Sequence, residues 1–156
     1  SLEQARALVA ACRYPPHGAR SHGPTRAALR AGSDAFKIAE EVVAFAMVET
    51  RQGLERCEEL ATVPGLDGLF VGPGDLGLTL GIGAGQDREE PEILAALERV
   101  VAACRANGKR AGVHAGSARY AARMAGMGFD LVTVWVDAVA IGSTLAAAAK
   151  EWGEHA

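Results

Sequence analysis

The stretch MVETRQGLERCEELATVPGLDGLFVGPGDLGLTLG, from Met47 to Gly81, decides the fold. It links two apolar runs of strand length, VVAFAMV at 42–48 and LDGLFVG at 66–72. Continuous apolar runs of this length are typical of strands buried on both faces of a parallel sheet. Apolar residues recur at helical spacing in the segment between them. The stretch therefore predicts one β-α-β unit, with three side chains of its helix turned inward: Leu54, Cys57 and Leu60.

The same alternation continues along the chain, which predicts a parallel sheet with right-handed crossovers. A complete (β/α)8 barrel needs eight β-α units and about 250 residues, whereas this chain has 156. The pattern fits an open doubly wound sheet or the second half of a barrel, and no glycine-rich nucleotide motif follows a predicted strand. Further strands are predicted at 110–115 and 130–136, longer helices at 1–12, 50–63, 90–108, 117–128 and from Asp137 onward, and short helical segments at 25–31 and 34–40.

Composition predicts a single globular domain over residues 1–156. The chain is 49% hydrophobic with a net charge of −3, which argues against a nucleic-acid partner because such proteins usually carry a basic surface. No apolar run approaches the length of about 20 residues that spans a membrane. The cysteines, Cys12, Cys57 and Cys104, are odd in number and far apart, which favours reduced thiols in a cytoplasmic protein.

Two carboxylates stand out at the ends of predicted strands. Glu49 follows the first strand and Asp75 lies just past the second, 26 positions later. Neighbouring parallel strands bring such residues to one rim, where active sites of α/β proteins collect. Two carboxylates there suit a hard divalent cation that keeps water and substrate oxygens as its other ligands. Alternatively, Glu49 is a first-turn acid of the following helix and Asp75 caps a short turn at 76–80.

The chain resembles the HpcH/HpaI aldolase family, related to the citrate lyase β-subunit, within the phosphoenolpyruvate- and pyruvate-binding barrel superfamily. The resemblance rests on VET after the first strand, on VPGLDGLFVGPGDL and its trailing LG, on RYPPHGAR and on GFDLVTVWVD. It implies the second half of a (β/α)8 TIM barrel with four parallel strands, apparently without the N-terminal half-barrel. It also implies a homo-oligomer, often a hexamer in the family, that exchanges C-terminal helices.

The resemblance further implies a class II aldolase that cleaves a 4-hydroxy-2-oxoacid into pyruvate and an aldehyde. Glu49 and Asp75 are then the ligands of a Mg²⁺, Mn²⁺ or Co²⁺ ion, and the backbone of Gly74 and Asp75 holds the substrate carboxylate. Met47 stands at a substrate-binding position that is glutamine in some family members. No Schiff-base lysine is needed, in agreement with Lys109, which precedes a strand rather than ending one.

Several alternatives stay open. The family's catalytic base and substrate-binding arginine align upstream of Ser1, so no catalytic residue is assigned, and His114 is only a candidate rim residue. Trp135 is expected to pack in the barrel or under the last helix. The chain is a pyruvate aldolase half, an acyl-CoA lyase of the malyl-CoA or citramalyl-CoA type, or a non-catalytic binding or assembly subunit. The first and last strands would be open sheet edges, which favours self-association.

Overall fold

The computed structural model describes residues 1–23, 26, 28–29 and 40–155. The short helical segments predicted at 25–31 and 34–40 fall mostly outside these residues. The described elements alternate between helix and strand as predicted. In chain order they are α1 (Leu2–Cys12), β1 (Phe45–Val48), α2 (Arg51–Glu55), α3 (Cys57–Ala61), β2 (Gly68–Val71), α4 (Pro73–Leu80), α5 (Pro91–Ala106), β3 (Arg110–Ala115), α6 (Ala118–Met127), β4 (Leu131–Val134) and α7 (Asp137–His155).

The four strands form one parallel sheet in the order β1-β2-β3-β4. Each strand pairs with the next along the chain, so that Val48 lies beside Val71 and Val71 beside Val113. This order of four β-α units is that of half of a (β/α)8 barrel and confirms the predicted fold class. It also confirms that β1 and β4 are the two edges of the described sheet.

The core lies between one face of the sheet and the helices. Val48, Val71 and Val113 point to this face and are fully buried. The longest apolar stripe that covers them belongs to α5, as its helical spacing predicts. Burying each such aliphatic side chain contributes about 1.5–3 kcal/mol. The fully buried side chains of the α5 stripe are Ile93, Leu97 and Val100.

The opposite face of the sheet corrects the prediction that the strands are buried on both faces. Met47 on β1 is 55% exposed and Leu131 on β4 is 42% exposed. Within the described residues, helices pack on the outer face alone, so side chains of the inner face meet no second layer. A continuous apolar run does not show that one face of the sheet is left exposed, because it places apolar residues on both faces of the strand.

Element boundaries follow local chemistry. Ser1 and Gln4 form a capping box at the start of α1, and Gly128 ends α6 with a φ of 111°. The single helix predicted at 50–63 is instead two short helices, because Arg56 leaves helical geometry with a ψ of 15°. Asp137 is the first residue of α7 rather than its cap. Among the described residues, no helix combines the length and the apolar character needed to cross a bilayer.

Candidate active site at the carboxyl ends of the strands

Glu49 lies directly after β1 and outside the cap of the following helix. Thr50 is the N-cap of α2, and its side chain accepts a hydrogen bond of 3.0 Å from the backbone N–H of Gly53. No acidic residue occupies the first turn of α2. The helix-stabilising alternative for Glu49 is therefore wrong, and its half-buried carboxylate is available at the rim.

The Glu49 side chain rests against Gly72, the first residue after β2. A methyl group placed on Gly72 would lie 3.2 Å from Oε2 of Glu49 and 3.3 Å from Sδ of Met47. The Gly72 N–H also donates to the Val48 carbonyl at 3.2 Å, which extends the pairing of the two strands to the rim. The absence of a side chain at Gly72 thus leaves the space that the Glu49 carboxylate uses.

Asp75 lies in the first turn of α4, which begins earlier than the sequence predicts. Gly72 is the N-cap of this helix and Pro73 its first residue. Asp75 is therefore not an N-cap, which corrects the second alternative. The N–H groups of Gly74 and Asp75 belong to the first turn, where a helix supplies no acceptor of its own. The rim thus presents an exposed carboxylate beside N–H donors at the positive end of a helix.

Side-chain contacts link the segment that follows β1 with α4. The Thr79 hydroxyl, near the end of α4, donates to the Leu76 carbonyl at 3.0 Å and lies 3.5 Å from the Glu49 carbonyl. The Arg51 guanidinium, at the start of α2, donates to the Leu80 carbonyl at 3.3 Å. These contacts place the start of α2 against the end of α4, the helix that carries Asp75.

His114 lies on the inner face of β3, toward the same rim. Its Nδ1 is 3.0 Å from Oγ1 of Thr133, its register partner on β4. Met47 also lies on the inner face, since strand side chains alternate and the next residue, Val48, is buried on the other face. Lys109 is at the other end of the sheet, where its ammonium donates to the Leu66 carbonyl at 2.7 Å. The lysine thus lies away from the rim, as predicted.

The loop between α4 and α5 is a part of the rim that the sequence does not predict. Asp87 in this loop accepts a 2.7 Å hydrogen bond from the Gly116 N–H, just after β3. Arg88 donates to the Gly83 carbonyl at 2.9 Å, and the buried Tyr120 donates to the Arg88 carbonyl at 2.5 Å. The local signal available in the sequence is that aspartate adopts a positive φ more readily than most residues, and Asp87 has a φ of 53°.

The chemistry of the rim is that of oxygen ligands and backbone donors rather than of thiols. Burial raises the pKa of Cys57 to about 11, and burial likewise raises the pKa of Cys104, so both thiols are protonated and enclosed. Across residues 1–23, 26, 28–29 and 40–155, no three His, Cys, Asp or Glu side chains gather closely enough to hold a metal ion by themselves. A cation at this rim would have two protein carboxylates and would need further oxygen ligands.

A parallel α/β half-barrel with two carboxylates after adjacent strands places both at the end of the sheet where barrel enzymes carry their active sites, and sequence comparison identifies the family. The model of the HpcH/HpaI aldolase/citrate lyase family matches residues 1–139. The chain belongs to this family. It is 42% identical over 149 residues to a hydroxypyruvate/pyruvate aldolase of Rhizorhabdus wittichii, covering 95% of this chain and 58% of that protein. It is 30% identical to a 4-hydroxy-2-oxo-heptane-1,7-dioate aldolase of Escherichia coli, covering 100% and 60%.

Solved structures agree with the fold. A family member from Burkholderia cenocepacia superimposes with a TM-score of 0.82 at 29% identity, covering 97% of this chain and 61% of that one. A Mycobacterium tuberculosis protein that was solved with magnesium and acetoacetate has a TM-score of 0.52 at 24% identity, covering 60% and 44%. The chain spans about 60% of the length of the aldolases that it matches.

Proposed function

We propose that the protein is a divalent-metal-dependent aldolase that cleaves 4-hydroxy-2-oxoacids into pyruvate and an aldehyde, with this chain contributing the metal-binding half of the site. The observation that carries the proposal is the placement of Glu49 and Asp75 after adjacent parallel strands, with neither acid used as a helix N-cap. The names of the aldolase relatives support the small-oxoacid reaction over the acyl-CoA alternative.

The donor set fits a Mg²⁺, Mn²⁺ or Co²⁺ ion. Magnesium-type ions take one or two protein carboxylates and fill the remaining positions with water and substrate oxygens. Glu49 and Asp75 supply two such carboxylates. The contact between Glu49 and Gly72 limits the positions that the Glu49 carboxylate can take. When bound, the ion supplies Lewis acidity toward the keto oxygen of the substrate.

The residues of this chain bind and orient the oxoacid. The N–H groups of Gly74 and Asp75 donate to the carboxylate of pyruvate at the positive end of α4. Met47 presents a thioether on the inner face beside Glu49, where it packs against the three-carbon unit without donating a hydrogen bond. Its effect is to favour an apolar methyl end over a polar group at that point.

A binding titration tests this proposal without requiring turnover. The purified chain is titrated with Mn²⁺ in the presence and absence of oxalate, a stable analogue of the pyruvate enolate. We expect oxalate to strengthen Mn²⁺ binding, and we expect Glu49→Gln and Asp75→Ala each to weaken it by tenfold or more. Glu98→Gln is a matched control, since this exposed acid lies in the middle of α5 rather than beside the end of a strand.

The alternatives are outcomes of the same titration. A folded chain that binds no Mn²⁺ with oxalate would contradict the metal-site proposal and favour an assembly role. Binding that survives in both variants would place the metal elsewhere. The prediction of self-association is measured separately by sedimentation, and a monodisperse monomer would contradict it.

A further inference from the structure

A cavity of about 380 Å³ opens at the amino-terminal ends of β3 and β4, the opposite end of the sheet from the two carboxylates. Its volume is that of a small-molecule site. β3 is six residues long, about 20 Å at 3.3 Å per residue, so the cavity is separate from the rim that carries Glu49 and Asp75. The carboxyl-terminal ends of α5 and α6 form its other walls, through Arg105 and Gly128.

Positive charge is concentrated in this cavity. Arg105, Lys109 and Arg110 line it, and Asp130 is the one acid among the described residues that do so. Three cations less one acid give the lining a formal charge of +2, although the whole chain has a net charge of −3. The Cys104 thiol in the wall adds no charge, because burial raises its pKa and keeps it protonated.

The start of the neighbouring strands shows how much positive charge the fold itself requires. Asp67, directly before β2, accepts the Ala44 N–H at 2.6 Å. Its carboxylate pairs with one arginine, Arg13, at 3.5 Å. One aspartate with one arginine therefore satisfies the backbone where β1 and β2 begin.

The same arrangement occurs where β3 and β4 begin, and two cations are left over. Asp130 accepts the Ala111 N–H at 3.0 Å and pairs with Arg110 at 2.7 Å. Lys109 makes no ion pair with a described acid, and its ammonium gives one of its three N–H donors to a backbone carbonyl. The Arg105 guanidinium makes neither an ion pair nor a hydrogen bond within the described part of the chain.

Arg105 lies at the cavity wall with its donors unused. Its guanidinium covers Gly128, where an added Cβ would be 2.7 Å from Nη2. A guanidinium presents a planar fork of N–H donors that matches phosphate oxygens, and a lysine ammonium adds a compact charge. Two spare positive charges balance a phosphate group, which carries about −1.5 to −2 at pH 7.

We propose that this cavity binds a small molecule through a phosphate dianion, with Arg105 and Lys109 as its two cationic partners. Free phosphate and a phosphate monoester both present that group. The organic part of a monoester would lie against the apolar wall formed by Val101 and Cys104. The site goes beyond the proposed aldolase reaction, because it lies at the other end of the strands.

A titration without metal tests the proposal. The ¹⁵N-labelled chain is titrated at constant ionic strength with glycerol 3-phosphate and, separately, with inorganic phosphate. The residues Gly108 and Gly128 line the cavity, and their amides report its occupancy. We expect both amides to shift saturably, with a Kd in the millimolar range that is usual for so small a ligand, while the Gly74 amide at the rim stays in place. A lower Kd for glycerol 3-phosphate would identify a monoester as the ligand, and an equal or lower Kd for phosphate would identify the free ion.

Three variants test the charges, and urea unfolding checks that each is folded. Arg105→Gln removes a cation that pairs with no described acid, so the fold should persist and the Kd should rise by about tenfold. Arg119→Gln is the matched control, because it removes the same charge from the first turn of α6, at the other end of that helix, and should leave the Kd unchanged. Asp130→Asn keeps an oxygen that can accept the Ala111 N–H and makes the lining more positive, so the Kd should fall by about two- to fivefold.

Succinate completes the comparison, since it carries two negative charges on separate carboxylates and should bind more weakly than either phosphate. Shifts at Gly74 in place of Gly108 and Gly128 would put the phosphate at the start of α4 and overturn the assignment. The same conclusion would follow from shifts that do not saturate, from equal affinity for succinate, or from equal effects of Arg105→Gln and Arg119→Gln. Because no metal is present, failure here leaves the Mn²⁺–oxalate result at the rim unaffected.

Discussion

Replacing Gly72 with alanine should separate the function of the rim from the stability of the fold. The backbone of Gly72 has a φ of −97° and a ψ of 90°, which a residue with a Cβ can adopt. Gly→Ala changes at compatible positions stabilise a protein by about 0.4–1 kcal/mol through the unfolded state. Because the added Cβ also makes contacts of 3.2–3.3 Å, the two effects oppose each other, and the free energy of unfolding should change by less than about 1 kcal/mol.

The added methyl group acts on the site instead. It would lie 3.2 Å from Oε2 and 3.3 Å from Cβ of Glu49, closer than an ordinary van der Waals contact. Rotation of the Glu49 side chain can relieve the contact with Oε2, but the contact with Cβ is relieved only by a small shift of the backbone. Either change moves the carboxylate by a few tenths of an ångström. A binding site must be held within about 0.5 Å of its productive geometry, and this shift uses most of that margin. We therefore expect the affinity for Mn²⁺ with oxalate to fall by about three- to tenfold, or about 0.7–1.4 kcal/mol.

The assay pairs calorimetric titration of Mn²⁺ in the presence of oxalate with urea unfolding of the same preparation. Gly126→Ala is the matched control, because an added Cβ there contacts no other group and the residue lies within α6, away from the rim. The control should gain stability from helix propensity, by up to about 1 kcal/mol, and bind Mn²⁺ like the parent. A Gly72→Ala chain with unchanged affinity would refute the argument that Glu49 is a ligand seated against Gly72.

Two further predictions concern ionisation. The Ala111 N–H and the Arg110 guanidinium lower the pKa of Asp130 in the folded chain. A carboxylate of this kind stabilises the fold above its ordinary pKa of 3.8, and the stabilisation is lost as the pH falls through its lower pKa in the folded chain. Asp130→Asn should therefore reduce the loss of unfolding free energy between pH 7 and pH 3, by no more than about 1 kcal/mol because the pair is partly exposed; equal losses in urea titrations of parent and variant would contradict this. At pH 8, iodoacetamide should modify Cys12 in the folded chain but Cys57 and Cys104 only in urea, since both are buried and burial raises the pKa of Cys57 to about 11. Mass spectrometry that finds Cys57 modified as fast as Cys12 would contradict this prediction.

The parts of the fold that sequence predicts are those set by local periodicity and by the order of elements. The apolar stripe of α5 follows from the helical spacing of its residues. The end of α6 follows from Gly128, because glycine adopts the positive φ of a helix C-cap readily. The rim position of Glu49 and Asp75 follows because adjacent parallel strands end at one edge. These signals lie within one element or one β-α unit, so a single sequence contains them.

The parts that sequence does not predict depend on contacts between distant segments. Asp87 and Gly116 are 29 positions apart, and no local pattern joins them. Trp135, expected to pack in the barrel or under the last helix, is instead 61% exposed and has a φ of 63°. Its N–H donates to the Ala115 carbonyl, 20 positions earlier, at 3.1 Å. The exposed inner face has the same origin, because an apolar run records that a strand is buried but not which of its faces is covered.

Glycines on and beside the inner face of the sheet make room for larger side chains of neighbouring segments. The Phe70 ring of β2 covers Gly112 of β3, where an added Cβ would lie 2.6 Å from its Cδ2 atom. At the rim the covering side chain is polar instead: Glu49 lies against Gly72, and Gln86 lies against Gly116.

In each pair, a glycine on one segment has no side chain, and this leaves the space that the large side chain of the neighbouring segment occupies. Gly72 is the first residue of the GPGD motif at 72–75, and its φ of −97° does not require glycine. Its role is to admit the Glu49 carboxylate, so the position of a proposed metal ligand is determined by a residue on the neighbouring strand. Variants of the rim glycines should therefore change binding while leaving the strands paired.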